Sequence, residues 1–166
     1  MGHFRLFVSH SHKDKKIAAE IVKVIEAAMV PKAGILCTSH DNPKYREPAD
    51  VNLREFLRDH LNQSCCVLGV LTPNSVKSPW CLLELGGAWV RAKKTYLVLA
   101  GGLSKRRLPK ALAGTPAARL TEPEEIRGVL ANVRQALRWR KKDKGLAENE
   151  IDHLIKIVRG CRWAPK

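Results

Sequence analysis

Seven consecutive residues in the middle of the chain, Cys65-Cys66-Val67-Leu68-Gly69-Val70-Leu71, carry no charged or amide side chain. Successive side chains of a strand point to opposite faces, so a strand with one wet face alternates apolar and polar residues. This run does not alternate. Both of its faces need cover, and strands buried on both faces belong to parallel sheets sandwiched between helices. The rest of the chain must then supply helices for two faces.

It does so in order. Phe4-Arg5-Leu6-Phe7-Val8-Ser9 reads as a first strand, Ile35–Thr38 as a second, Thr95–Ala100 as a fourth, and Ala117–Leu120 as a short fifth at the edge. The first helix carries Ile17, Ile21, Val24, Ile25 and Ala28 at helical period, with Asp14 as its cap and Pro31 and Gly34 as its stop. Val51–Leu61 is a second helix, capped by Asp50, with Leu53, Phe56, Leu57 and Leu61 on one side. A third starts with Ser78 as N-cap and Pro79 at its first position, and runs to about Arg91. Gly101-Gly102 breaks the fourth strand, and Lys105–Pro116 is a basic, irregular connection with room for one helical turn. Thr121 opens the last helix of the unit, with Ile126, Val129, Leu130, Val133 and Leu137 as its apolar face. Alternating strands and helices predict a doubly wound α/β domain over residues 1–140, five strands in a mostly parallel sheet with helices on both faces; if it is flavodoxin-like, the strand order is 2-1-3-4-5.

A tail over 141–166 follows. Trp139–Gly145 is basic and poorly patterned; Ala147–Arg159 has Ile151, Leu154, Ile155 and Val158 at helical spacing. The sequence leaves open whether this helix packs on the domain, pairs with another chain, or leads into a further domain.

The balance of charge narrows the partners. The net charge is +14, with no acidic residue between Leu85 and Thr121 and a second basic cluster from Arg134 to Lys144. Such patches attract phosphates of many kinds, but only 5% of residues are aromatic and none alternates with the basic residues as a base-stacking platform requires, so nucleic acid is a weak expectation. No apolar run approaches the roughly 20 residues that span a bilayer, so no membrane segment is expected. The five cysteines are odd in number and lack metal-ligand spacing, as expected of reduced thiols in a cytoplasmic protein. Met1-Gly2-His3 enters a strand directly, which argues against a leader. No Walker loop, GxGxxG, metal cluster or Ser-His-Asp set is visible, so neither metal nor bound cofactor is expected.

In sheets of this kind ligands bind beyond the carboxyl ends of the strands, where strand order reverses. That point brings Ser9–Asp14, after the first strand, beside Thr72–Glu84, after the third. Trp80 and Glu84 stand four apart near a helix start, on one face of it. An aromatic surface beside a carboxylate suits a polar ligand carrying a ring, and the same spacing equally suits a core tryptophan beside a solvated glutamate. His10 and His12 follow a strand that ends at this site, and serve as ligand contacts or as surface loop residues. Ser39–Asp50 is a long loop in which Asp41 and Asn42 gate the site, form an assembly contact, or simply make turns.

Phe7-Val8-Ser9-His10-Ser11-His12-Lys13-Asp14 resembles the opening box of Toll/interleukin-1 receptor (TIR) domains. The loop from Cys37 to Asp50 stands where that family has its BB loop, and Leu71–Leu85 is similar to its strand–loop–helix with an S-x-W-x-x-x-E pattern. The resemblance covers about Phe4 to Leu137. It implies one of two functions: adaptors that assemble through TIR–TIR contacts, or enzymes, many of them bacterial, that cleave NAD+ at the nicotinamide–ribose bond. In the enzymes the catalytic glutamate lies four residues after the tryptophan, which here is Glu84. Basic residues common after the first strand in animal and plant enzymes are replaced here by Ser11 and His12. The resemblance thus implies Glu84 as catalytic, and Trp80, Ser9, His10, Ser11, Lys13, Asp41 and Arg54 as substrate contacts, Lys13 or Arg54 holding the pyrophosphate. It also implies NAD+ as substrate, self-association, a fused or separate sensor protein, and a role in bacterial immune defence.

Overall fold

A computed structural model of the chain describes residues 4–30, 34–37, 52–142 and 144–163. The elements are β1 (Phe4–Ser9), α1 (Lys15–Ala28), β2 (Met29–Val30), β3 (Gly34–Leu36), α2 (Leu53–Gln63), β4 (Cys66–Leu71), α3 (Pro79–Val90), β5 (Lys94–Leu99), β6 (Ala117–Arg119), α4 (Pro123–Leu137), β7 (Arg140–Lys141) and α5 (Lys144–Gly160). The main sheet is parallel throughout, in the order β3-β1-β4-β5-β6, which is the flavodoxin-like order expected. All six residues of β4 are buried, as its unbroken apolar run requires.

Two apolar layers cover the sheet. On one face Leu6, Val8, Leu68 and Val70 meet the stripes of α1 (Ile17, Ile21, Val24, Ile25), α4 (Ile126, Val129, Leu130, Val133, Leu137) and α5 (Ile151, Leu154, Ile155, Val158). On the other, Phe7, Val67 and Leu71 meet Leu57 and Leu61 of α2 and Leu85 and Ala88 of α3. Odd and even positions of β1 and β4 thus divide between the layers, as period two demands. The chain over 1–140 and the tail helix share one core: α5 packs along α1, and Trp139, fully buried, joins them.

Several boundaries depart from the sequence expectation. Asp14 precedes α1, but its side chain makes no capping bond; it is engaged across the domain instead. Helix α1 ends at Ala28, before Pro31, because Met29–Val30 turns into a strand that pairs antiparallel with Arg140–Lys141. Gly34 opens β3 rather than closing a helix. Helix α2 begins at Leu53 with Asn52 as its cap, its side chain accepting from the Arg54 N–H at 3.1 Å; Asp50 and Val51 lie outside the described residues. The basic connection after β5 holds two 3-10 turns, Lys105–Arg107 and Lys110–Leu112, rather than one helical turn. Cys65 is exposed just before β4.

Candidate functional site

Helix α3 carries the site because its start is fixed on both sides. The Ser78 hydroxyl accepts from the Cys81 N–H at 3.4 Å, and Pro79 takes the first turn, where its missing donor leaves nothing unpaired. The loop before it is closed by Asp14. That buried carboxylate accepts from the Thr72 hydroxyl at 2.6 Å and the Asn74 side-chain amide at 2.7 Å. The Thr72 hydroxyl oxygen in turn accepts from the backbone N–H groups of Asn74 and Ser75, at 3.0 and 3.1 Å. The two post-strand segments therefore meet, as expected, but polar bonds fill the space between them.

Beside this network, β1 ends on Ser9, whose hydroxyl donates to Glu84 Oε2 at 2.6 Å. Glu84 lies one turn into α3 and is 8% exposed. Burial pushes its carboxyl up to about 7, against hydrogen bonds from Ser9 and from the Trp80 side chain that favour the ionised form. Such a carboxyl changes charge near neutrality, which is where groups that act chemically are commonly poised.

Glu84 is part of the wall of a cavity of about 510 Å³ between α2 and α3, lined also by Trp80, Phe7, Leu57, Leu61 and Leu83. Arg54, Arg58 and Arg91 also line it. An apolar wall, a few convergent polar groups and a buried acid is the usual make-up of a small-molecule site. Arg91 is steadied by the side chain of Asn62 at the end of α2.

Of the residues singled out in the sequence, Glu84, Ser9, Trp80 and Arg54 come together here. Ser9 is spent on the carboxylate rather than facing the cavity. His10 is buried, its Nδ1 3.1 Å from the Val8 carbonyl and 4.0 Å from Cys37 Sγ, away from the cavity lining. Ser11 is buried and Lys13 exposed, and neither lines the cavity. Asp41 and Asn42, with the rest of the loop from Ser39 to Asp50, lie outside the described residues. Burial pushes the Cys37 thiol up to about 12 and raises that of Cys81, so neither is a thiolate nucleophile near neutral pH. Arg58 and Arg91 escaped the sequence reading. The signal for Arg91 was its position seven residues after Glu84, two turns along the same helix. Among the described residues no helix is long and apolar enough to cross a membrane.

The family model for the TIR domain matches residues 6–131 of this chain. Among curated proteins, the uncharacterized protein YddK of Bacillus subtilis (strain 168) is 34% identical over 98 residues, a stretch that is 59% of this chain and 36% of the relative. The chain thus spans little more than a third of that relative's length.

Proposed function

This chain belongs to the TIR-domain family, and on that premise we propose that it cleaves NAD+ at the bond between nicotinamide and ribose. The observation that carries this reading is Glu84, its carboxyl buried and held by Ser9 at 2.6 Å, in the wall of a cavity beside Trp80. In the proposed step the C–N bond breaks and its electron pair leaves with nicotinamide, which departs neutral. The ribose carbon becomes oxocarbenium-like, and the ionised Glu84 carboxylate stabilises that charge. One carboxylate suffices because the leaving group is cationic in the substrate and needs no proton. Water then adds to the ribose carbon and releases a proton, giving ADP-ribose; capture by a nitrogen of the adenine base gives a cyclic isomer instead. Trp80 is the wall for the ring, and Arg54, Arg58 and Arg91 are the charges that meet the pyrophosphate.

A second reading has its own support. Leu83, Trp89 and Val90 are 66%, 69% and 72% exposed on α3, the helix that bears Glu84. Leu83 and Val90 are seven apart and share a face of the helix, and apolar groups exposed on one face mark an interaction surface; TIR domains generally self-associate. This favours a TIR–TIR contact on α3, as the switch for the enzyme or as the whole function of a non-catalytic signalling module. The proposed setting is bacterial immune defence in the cytoplasm, under a fused or separate sensor.

The test is incubation of concentrated protein with NAD+, with and without a crowding agent, and chromatography of the products. One nicotinamide released per NAD+ consumed is expected, at a specific rate that rises with protein concentration. No nicotinamide from folded protein under any assembling condition overturns the enzyme and leaves the module.

A further inference from the structure

Away from this site, the seam between α1 and α5 holds a buried acid with one oxygen that accepts no hydrogen bond among the described residues. The Glu20 side chain is 8% exposed, and its Oε1 accepts from Lys23 Nζ at 2.7 Å. Its Oε2 is buried with no hydrogen-bond partner among the described residues. A buried carboxylate oxygen left in that state is costly unless something binds it.

What faces it is a second carboxylate and an imidazole. Glu150 and His153 stand three apart on α5, on the same face of the helix, and direct donor atoms at Glu20 across the seam. One carboxylate oxygen from each glutamate and one imidazole nitrogen all lie within 4.8 Å of one another. His153 Nδ1 is 3.4 Å from Glu20 Oε2, and the pair makes no hydrogen bond. Two donors each about 2.0–2.1 Å from a tetrahedral ion lie about 3.4 Å apart. The spacing fits two ligands to one centre, as it also fits the ion pair that the two groups form when His153 is protonated.

We propose that Glu20, Glu150 and His153 bind a divalent first-row transition-metal ion between α1 and α5. Two carboxylates and one imidazole suit zinc or its neighbours in the first row; magnesium and calcium prefer oxygen-only shells with more donors. Charge is consistent, since an ion of charge two balances the two carboxylates. Lys23, whose side chain is 55% exposed, is free to swing into water as the ion takes up Glu20. His153 is equally accessible, at 55% exposure of its side chain, so an entry path exists from solvent. The family match ends at residue 131, so the site joins the matched domain, through Glu20, to the segment beyond it. The bound ion would fasten α5 to α1 and so tie the tail helix to the sheet.

The test uses the full chain stripped with a chelator and dialysed. Zn2+ is titrated by calorimetry, Co2+ serves as an optical probe, and thermal unfolding is followed with and without Zn2+. The proposal expects one equivalent of Zn2+ bound, a Tm raised by several degrees, and Co2+ bands of tetrahedral type without sulfur charge transfer. His153→Gln and Glu150→Gln, both at partly exposed positions, should keep the fold and weaken Zn2+ binding about tenfold or more. Absence of Zn2+-dependent stabilisation, or binding unchanged in both variants, overturns it. Sulfur charge-transfer bands with Co2+ would assign the metal to cysteines and overturn it as well.

Discussion

The charge of Glu84 is decided by burial working against two hydrogen bonds, and burial wins: the carboxyl sits at about 7 instead of 4.5. Between those two values the folded protein keeps a proton that the unfolded chain has released. Stability therefore falls as pH rises through that window, by about 3 kcal/mol in all, and Glu84→Gln should flatten the slope. Denaturant unfolding at pH 4.5, 6 and 8 checks this; identical pH slopes for both proteins would contradict it. The reactive form in the proposed step is the ionised one, so NAD+ cleavage by the free enzyme should rise with pH through about 7. Ser9→Ala removes a bond that favours the ionised form, and should move that acid limb to higher pH, read from kcat/KM profiles. The Trp80/Glu84 spacing was legible in the sequence, because i and i+4 share a helix face whatever surrounds them. The service of Ser9 to Glu84 was not. It depends on where β1 stops against α3, a contact between residues 75 apart. Asp14 misled for the same reason: its helix-capping chemistry is local, and partners 58 and 60 residues away outcompeted it.

Among the elements, α3 is the one whose seating matters most, and a glycine sets it. Gly69 in β4 pairs with Ser9 in β1, and a Cβ there would come within 2.9 Å of methyl carbons of both Leu85 and Leu97. Leu85 is the neighbour of Glu84, so any side chain at 69 presses on the helix that aims the carboxylate. Gly69→Ala should cost about 1–3 kcal/mol by overpacking, measured by denaturant unfolding; a variant as stable as the wild type would show that α3 is not seated this tightly. The apolar faces of α1, α4 and α5 were all readable from periodicity, because each buries one stripe and wets the other. Helix ends were less so. Pro31 announces a stop to within a few residues of Ala28; the residue at which α1 ends is set by Met29–Val30, which finds a strand partner more than 100 residues later in the chain.

For the whole molecule, the last segment is part of the core rather than an appendage. Trp139 is fully buried, β7 clasps β2, and Ile151, Leu154 and Val158 are nearly inaccessible. Sequence pattern shows that α5 has an apolar face but is silent on what covers it, since an amphipathic stripe is the same toward a neighbour, a partner or a second domain. The covering surface is α1, set by chain geometry through the β2–β7 clasp. Removing residues 139–163 would strip that face, and we expect the remainder to be insoluble or partly unfolded, as judged by near-ultraviolet circular dichroism and dye binding. A soluble, cooperatively folding truncation would show that the domain closes without its last helix.

The central claim is that the Glu84 carboxylate performs the cleavage, and one comparison addresses it most directly. Wild type and Glu84→Gln are matched for folding and for NAD+ binding, and nicotinamide release is followed in both at high protein concentration. The prediction is turnover by the wild type and a loss of at least about 100-fold in kcat for the variant, with NAD+ still bound. Equal turnover by the two proteins would contradict the account.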